Sequence, residues 1–402
     1  MSVVDRLRLI RTEGVGPITY RRLLDRFVDP AIALDALPAL AHAGGRASIR
    51  IPTVAEVNRE IDRIGAAGAR LLFIDDPDYP DLLASTDGAP PAITVKGDPA
   101  ALNRRAVALV GARNASTNGK HMADLLAYDL ASSGLVVVSG MARGIDTAAH
   151  TGALRAGLTV ACIAGGIDVA YPAENAALQE RVAESGAVVA EAPFGTALQA
   201  RHFPRRNRII AGLALAIIVV EAAPKSGSLI TARFAAEMGR DLFAVPGSPL
   251  DARCRGSNDL IRTGAHLVES AADVLAFLPS IHAASVPRGV SEPSARYEPR
   301  LADDEVRRLV LDNLGHDPTD IDDLIRQSGV PSASVHAALL ELELGGQVSV
   351  LPNNKGLSHR ALTAARRVGK TSQVDVGGRR CQLSAHWVHR DNPGETLRQR
   401  MP

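Results

Sequence analysis

Cysteine is scarce in this chain, and its pattern excludes two classes of protein. The three cysteines, Cys162, Cys254 and Cys381, lie far apart, and no Cys-x-x-Cys pair occurs. This spacing argues against a disulfide framework or a zinc site, and it is typical of a reducing cytoplasm. No apolar run reaches about 18 residues, so we expect no membrane span. Met1–Ile10 lacks the apolar core of a secretory signal, so we expect a cytoplasmic protein. From the cysteine spacing we expect no bound metal.

Net charge and aromatic residues are also low. The chain carries 45 Lys and Arg against 44 Asp and Glu, a formal charge of +1. Any binding of nucleic acid must therefore come from local cationic patches rather than from the whole molecule. Aromatic residues make up only 3 % of the sequence, so an aromatic inside a basic segment is informative. The length of 402 residues predicts two or three domains.

Composition divides the chain into five segments. Residues 1–75 show helical periodicity around Gly14-Val15-Gly16-Pro17, a turn that resembles a helix-hairpin-helix or SAM-type connection. Its N–H groups could bind a backbone phosphate, although an ordinary interhelical turn is the favoured interpretation. The other predicted segments are a Rossmann-like domain at 76–280, a linker at 281–302, a winged-helix-like domain at 303–361 and a basic, disordered tail at 362–402.

Short runs rich in Val, Ile and Ala recur through the central segment. They predict strands at Ala92–Lys96, Ala106–Val110, Leu135–Ser139, Thr159–Ala164, Ala187–Glu191, Ala214–Glu221, Leu242–Val245 and Ala265–Val268. They show little alternation, as expected of strands buried on both faces. Helical patterns fill the gaps, so the predicted fold is α/β, with a doubly wound, mostly parallel sheet.

Glycines and cations follow several of these strands, at the edge where ligands bind in such sheets. The first turn contains Gly111 and Arg113, and the second contains Gly140 and Arg143. A later turn is Lys225-Ser226-Gly227-Ser228. Glycine lets the backbone approach a phosphate, while the cation and the following helix start attract its charge.

The most basic segment is His202–Gly212. Phe203, Arg205, Arg206, Asn207 and Arg208 lie within six residues of one another. Guanidinium groups match phosphate oxygens in pairs, and an aromatic ring offers a face to an unpaired base. Ordinary salt bridges and a core phenylalanine are an equally open interpretation of this segment alone. Together with the glycine turns, it favours a groove that follows a chain of phosphates.

Catalytic alternatives are weaker. No Gly-x-Gly-x-x-Gly follows the first strand, so we expect no dinucleotide cofactor. Asp146 and His150 lie four residues apart and could form an acid–base pair, but a packing role is favoured. Glu191 and Glu221 end strands without a nearby catalytic partner in the sequence.

The segment 303–361 contains three helical patterns and a hairpin. Its third helix, Ser332–Leu344, carries Glu341 and Glu343 and only His336 as a basic candidate. It is therefore poorly charged for a DNA groove, and a protein-contact role is at least as well supported.

These motifs, in this order, resemble the bacterial DNA-processing protein A (DprA/Smf) family. The resemblance is carried by Gly111-Ala112-Arg113, Ser139–Asp146 with Ala149-His150, Gly166-Ile167-Asp168 with Tyr171-Pro172 and Asn175, Phe203–Gly212, Val220-Glu221-Ala222, Lys225–Ala232 and Ala244–Gly247. It spans about residues 70–270. Relatives often have lysine at the position of Ala200 and serine at that of Ala112, so both are departures.

The resemblance implies a mediator rather than an enzyme. It implies a homodimer that binds single-stranded DNA, protects it during natural transformation, and loads RecA recombinase while displacing single-strand-binding protein. Matched by position, the predicted DNA-binding residues are Gly111, Arg113, Gly140, Arg143, Phe203, Arg206, Asn207, Arg208, Lys225, Gly227 and Ser228.

A nucleoside monophosphate phosphoribohydrolase is the alternative from the enzyme class. Enzymes of that kind carry a catalytic glutamate in a glycine-rich loop. Thr231 stands at the corresponding place here, and Lys225 has been gained. Both changes favour binding over hydrolysis.

Overall fold

The computed structural model describes residues 2–278, 302–314, 318–351, 355–358, 374–376 and 379–381. The predicted linker, apart from Ala302, and most of the predicted tail lie outside these ranges. No helix in the described ranges is both long and apolar enough to cross a membrane.

The N-terminal part consists of four helices. They are α1 (Val3–Arg11), α2 (Pro17–Phe27), α3 (Pro30–Ala43) and α4 (Val54–Ala66). Thr53 begins α4 with a capping box, since its hydroxyl accepts from the Glu56 amide and the Glu56 side chain accepts from the Thr53 amide. Proline follows the N-cap of both α2 and α3, where its fixed φ suits the first helical turn.

The central part alternates strands and helices. Its strands are β1 (Ala69–Phe73), β2 (Ala92–Gly97), β3 (Ala106–Val110), β4 (Val136–Ser139), β5 (Thr159–Ile163), β6 (Ala187–Ala190), β7 (Ala216–Val219), β8 (Asp241–Ala244) and β9 (His266–Leu267). Its helices are α5 (Asp81–Ala84), α6 (Thr117–Ser132), α7 (Ile145–Ala153), α8 (Ala176–Ser185), α9 (His202–Leu213), α10 (Gly227–Glu237), α11 (Arg255–Arg262) and α12 (Ala271–Phe277).

The nine strands form one sheet, in the order β1-β2-β6-β5-β4-β3-β7-β8-β9. In this order, every neighbouring pair from β6 to β9 is parallel. At the other edge, β2 pairs antiparallel with β6, and β1 pairs antiparallel with β2. The order reverses between β3 and β7, which makes that junction the switch point of the sheet. The predicted α/β fold class is confirmed, and each of the eight predicted strands is present to within two residues at either end.

β1 is the one strand of this sheet that the sequence does not predict. It lies within the segment assigned to the helical domain, and it pairs with β2 from Ala69↔Lys96 to Phe73↔Ala92. The helical pattern ends at Gly68, whose φ of +68° favours glycine. The sheet therefore begins earlier in the chain than the predicted boundary at residue 75.

Apolar side chains cover both faces of the sheet. One face packs Val110, Val138 and Cys162 against α9 and α10, and the other packs Leu109 and Val137 against α6 and α7. Burial on both faces is the physical reason that these strands show no polar alternation. Because β3 to β8 run parallel to one another, the turns that follow them lie at one edge of the sheet.

The C-terminal part is a small winged-helix fold. It contains α13 (Asp304–Asn313), β10 (Thr319–Asp320), α14 (Ile321–Ser328), α15 (Ser332–Leu344), β11 (Val348–Leu351) and β12 (Lys355–Ser358). The sequence pattern predicts that Thr319 and Asp320 start a helix. They pair with β12 instead, and the Asp320 carboxylate accepts from the Asp322 amide as the N-cap of α14.

A further ladder lies in the segment predicted to be disordered. β13 (Val374–Val376) and β14 (Arg379–Cys381) pair antiparallel. β-branched valines at both ends of β13 favour an extended backbone. The rest of that prediction falls outside the described residues.

The third helix of the winged-helix fold is buried on two sides. Leu339 and Leu342 of α15 pack into the core of their own domain. Leu340 and Leu344 pack instead into the core of the N-terminal helices, beside Leu9 and other side chains of α2 and α3. A helix that buries apolar side chains on two faces lies in the interior of the molecule. The N-terminal and C-terminal parts are thus joined through α15.

Candidate nucleic-acid interface

Two side chains from distant parts of the sequence meet at the carboxyl edge of the sheet. Arg113 follows β3, and Phe203 lies in the first turn of α9. The guanidinium carbon of Arg113 is 4.6 Å from the centre of the Phe203 ring. Both side chains reach solvent, and Phe203 is half-buried, so a cation and an aromatic ring are presented together at the surface.

Tyr171 extends this aromatic surface. The residue is 48 % exposed, and its ring lies edge-on to Phe203 with 6.1 Å between the ring centres. Tyr171 stands in the turn after β5, so residues from three separate segments converge here. Tyr171 belongs to the sequence motif but is not among the predicted site residues. An aromatic beside a glycine turn, in a chain with so few aromatics, is the signal that could have found it.

Arg143 lies nearby, in the turn after β4. Its side chain is exposed and its Nε lies 3.6 Å from the exposed Glu174 carboxylate, a surface pair of small energetic value. Arg113, Arg143 and Lys120 line an open groove of about 660 Å³. This groove brings two of the predicted cations to one surface.

Arg206 is placed differently, inside the protein. Its side chain is 8 % exposed, and its Nη1 lies 3.9 Å from the Asp146 carboxylate. Burial raises the pKa of Asp146, and the Arg206 charge opposes that rise. A Cβ added to Gly140 would lie 1.8 Å from the same Nη1. Gly140 is therefore required to make room for Arg206, and the predicted contact of Gly140 with phosphate is not needed to explain it.

Arg208 is also held by protein groups. Its guanidinium donates to the backbone carbonyl of Gly88 and to the Glu191 carboxylate. Glu191 directly follows β6, so the pair ties α9 to the sheet edge. The sequence places Arg206 and Arg208 in the same basic segment as Phe203. It gives no sign that each pairs with an acid from a distant segment.

The remaining predicted residues lie at the start of α10. Lys225 is exposed and adopts a φ of +65°, which is unusual for a residue with a side chain. Gly227 has open space around its Cα. Asn207 donates to the carbonyl of Gly227 at 3.1 Å, and the Ser228 hydroxyl lies 2.8 Å from that of Ser226. Asn207 and Ser228 thus organise this turn from within, while Lys225 and Gly227 face solvent.

Comparison with known proteins decides the family. The family model of "DNA recombination-mediator protein A" matches residues 70–279, that of the "DprA-like N-terminal HHH domain" matches residues 2–62, and that of the "DprA winged helix domain" matches residues 293–354. The chain belongs to the DprA/Smf family.

Three relatives illustrate the match. Protein Smf of Synechocystis is 32 % identical over 387 residues, covering 85 % of this chain and 95 % of that protein. DNA processing protein DprA of Streptococcus pneumoniae is 46 % identical over 202 residues, covering 50 % and 71 %. The X-ray structure of DNA processing protein A from S. pneumoniae superposes with a TM-score of 0.55 at 38 % identity, covering 62 % of this chain and 83 % of that one.

In this DprA/Smf chain, the Glu221 carboxylate occupies the start of α6 at the switch point of the sheet. Glu221, after β7, accepts from the Ser116 amide at 2.9 Å and from the Ser116 hydroxyl at 2.5 Å. A Cβ on Gly119 would lie 2.5 Å from the Glu221 carboxyl carbon. The start of α6, where doubly wound folds bind a nucleotide phosphate, is thereby occupied. Gly111 lies beside this helix start, and a Cβ added to it would lie 2.6 Å from the Ile145 side chain, so no side chain fits there.

His150 and Asp146 do not form an acid–base pair. His150 is fully buried, its Nε2 lies 2.6 Å from the Gly140 carbonyl oxygen, and its Nδ1 lies 2.7 Å from the Thr159 hydroxyl. Burial lowers the pKa of His150 to about 4, so it is neutral at physiological pH. Asp146 faces Arg206 instead. Both residues position the turn after β4.

Proposed function

We propose that this DprA/Smf protein binds single-stranded DNA along the carboxyl edge of its sheet. We call the solvent-facing residues of that edge the rim: Arg113, Arg143, Tyr171, Phe203 and Lys225. The observation that carries the proposal is the stacking of Arg113 on a half-buried Phe203. A phosphate-binding group and a face for an unpaired base are offered side by side, as in single-strand-binding grooves.

The rim residues divide the work by chemistry. Arg113, Arg143 and Lys225 neutralise phosphates, and the exposed backbone of Gly227 can approach one of them closely. Phe203 and Tyr171 stack on bases, which is tolerant of sequence because every base has a flat face. Arg206 and Arg208 act from beneath, by fixing α9 and adding positive potential. Gly111, Gly140, Asn207 and Ser228 shape the turns that hold these groups.

A hydrolytic function is less well supported. Thr231, which stands where the phosphoribohydrolases carry their catalytic glutamate, is 1 % exposed within α10. Glu221, which follows the neighbouring strand β7, is bonded to Ser116 at the helix start that a nucleotide phosphate would need. Both observations favour binding without catalysis.

The family relationship extends the proposal to partners. We include loading of RecA recombinase, displacement of single-strand-binding protein, protection of incoming DNA during natural transformation, and action as a homodimer. Each of these roles requires bound single-stranded DNA, so binding of DNA at the rim is tested first.

The test is the salt dependence of binding to oligo-dT. For the wild type, log affinity should fall against log salt with a slope of about −0.7 for each phosphate contacted. Arg113→Ala should weaken binding and make the slope shallower by about one phosphate, because it removes one cation from the rim. Fluorescence anisotropy at several salt concentrations measures both quantities.

Arg262→Ala is the matched control. The Arg262 side chain is 75 % exposed and lies in the last turn of α11. This helix leads into β9, the edge strand at the opposite end of the sheet from β1, and Arg262 is not a rim residue. Its removal changes net charge equally and should leave affinity and slope unchanged. Wild-type binding that is indifferent to salt, or equal effects of the two substitutions, would contradict the proposed rim.

A further inference from the structure

A groove beside Arg113 is only partly explained by the rim. It is the open groove of about 660 Å³ between α6 and α7, and we call it the α6–α7 groove. Its lining includes Lys120 and His121 of α6 and Thr147 and Thr151 of α7. None of these four side chains belongs to the rim, so the groove offers a surface beyond it.

Arg113 belongs both to this groove and to the rim. α9, which carries Phe203, packs on one face of the sheet, whereas α6 and α7 pack on the other. Arg113 follows β3 at the edge between these faces, where it stacks on Phe203 and also lines the groove. A chain of phosphates that passes Arg113 can therefore continue from the rim into the groove.

Lys120 is an unpaired cation in this groove. Its side chain is exposed, and within the described part of the chain it takes part in no hydrogen bond or ion pair. The same holds for its exposed neighbour, His121. The Gly119 amide at this helix start already donates to the Ser116 hydroxyl, so the attraction for an anion comes from the lysine side chain. An ammonium group without a partner is available to a phosphate.

The acidic residues of the groove are already paired. Asp124 accepts from Arg155 at 2.6 Å, and Arg155 is not part of the lining. The Glu174 carboxylate lies 3.6 Å from the Nε of Arg143. These pairs leave Lys120 without an acid to offset it. The groove therefore carries uncompensated positive charge, which favours an anionic ligand.

The walls of the groove favour a sugar–phosphate backbone over bases. Among the described residues that line it there is no phenylalanine, tyrosine or tryptophan, so no such ring is available for a base to stack on. The Asn175 amide donates to the Thr147 hydroxyl at 3.0 Å and to the Met141 carbonyl at 2.9 Å, and these bonds hold the wall in place. A fixed polar wall beside an unpaired lysine suits a chain of phosphates whose bases face solvent.

We propose that the single strand leaves the rim past Arg113 and enters the α6–α7 groove, where the Lys120 ammonium group neutralises one of its phosphates. This inference rests on the proposed function, because it needs a strand already bound at the rim. The rim holds the bases and the groove holds only the backbone. Contacts in the groove should therefore depend on the length of the strand and not on its sequence.

The test removes the charge of Lys120 and keeps the helix. Lys120→Gln introduces another good helix former without charge, and Lys120→Arg retains the charge. Arg104→Gln is the matched control, because Arg104 is exposed and lies two residues before β3, at the opposite edge of the sheet from the groove. Anisotropy measures binding of oligo-dT of about six and about twenty nucleotides, a short and a long span relative to typical sites.

For the long oligonucleotide at about 0.1 M salt, we expect Lys120→Gln to bind about fivefold more weakly than Arg104→Gln, since a slope of about −0.7 for one phosphate amounts to that factor over a decade of salt. Lys120→Arg should bind like the wild type, and all three variants should bind the short oligonucleotide alike. Equal long-oligonucleotide affinities for Lys120→Gln and Arg104→Gln, or an equal loss by Lys120→Gln at both lengths, would overturn the path through the groove while leaving the rim intact. Wild-type protein that binds neither length would instead overturn the proposed function.

Discussion

Phe203 is the residue on which the proposed chemistry depends most. It has two neighbours of different character, the Arg113 guanidinium at its face and the Tyr171 ring at its edge. It also closes a small cavity lined by Met141 and Leu198. Its ring could therefore serve either stacking or packing, and the two roles are separable by substitution.

Phe203→Ala should weaken binding of oligo-dT by about 1–3 kcal/mol, the value of a stacked base. Phe203→Leu keeps apolar bulk over the cavity but has no aromatic face, so it should lose nearly as much affinity while retaining thermal stability. Phe203→Tyr should bind like the wild type. Anisotropy titrations beside thermal unfolding measure the set, and wild-type affinity in Phe203→Leu would show that the ring only packs.

Arg206 and Arg208 show where residue-level prediction ends. The sequence places them within about one turn of helix of Phe203, and their type and spacing suit phosphate binding. What decides their role is the distant acid that each meets, Asp146 for one and Glu191 for the other. Such pairs depend on the crossing of α9 over the sheet edge, which local patterns do not reveal.

Among the elements, the buried strands were the most predictable. Their apolar runs are bounded by glycine turns, and burial on both faces leaves a pattern that short amphipathic helices do not imitate. β1 was not predicted because it is an edge strand that contains the exposed Arg70 and follows α4 after only two residues, so it lacks the continuous apolar run of the buried strands. The burial of Asp146 and His150 on α7 could not be predicted either, because helix spacing alone does not show that His150 points into the core.

His150 links α7 to the turn after β4, and it makes stability depend on pH. Its pKa is lowered from 6.5 to about 4 by burial, so the unfolded chain takes up a proton first as pH falls. This histidine therefore stabilises the fold fully above pH 6.5, and its contribution is lost between there and about pH 4. The contribution lost by pH 5 is about 2 kcal/mol.

We expect the free energy of unfolding, from urea titrations, to fall more between about pH 7 and pH 5 in the wild type than in His150→Gln. Glutamine retains hydrogen-bonding groups but does not titrate, so its own destabilisation is present equally at both pH values. A pH dependence that is identical in the two proteins would mean that His150 is protonated in the folded state.

At the scale of the whole molecule, α15 joins the two ends of the chain. A Cβ on Gly345 would lie 1.9 Å from the Gly44 carbonyl oxygen, so the backbones of the two domains touch. Gln347 donates to the same carbonyl at 2.5 Å. The Glu341 side chain, fully buried, accepts from Arg307 at 2.6 Å and lies 4.0 Å from Arg26 of the N-terminal part. A winged-helix recognition helix placed in this way is an internal contact rather than a surface for a DNA groove.

The sequence shows that this helix carries little positive charge for a DNA groove. It did not indicate the partner, because the apolar residues on both sides of α15 look like those of any buried helix. Leu339 and Leu340 are adjacent in sequence yet belong to different cores, the first to the winged-helix domain and the second to the N-terminal helices. This pair allows the contact between the two ends to be tested directly.

Both Leu339→Ala and Leu340→Ala should cost about 2–5 kcal/mol of stability, since each removes a fully buried leucine. Their local effects should differ. Amide hydrogen exchange should accelerate in α2 and α3 for Leu340→Ala, because that side chain completes their core, whereas Leu339→Ala should loosen mainly α13 and α14. Unchanged exchange of α2 and α3 in Leu340→Ala would mean that the N-terminal helices are stable without the winged-helix domain. Faster exchange there would show that the winged-helix domain supports the N-terminal helices through α15.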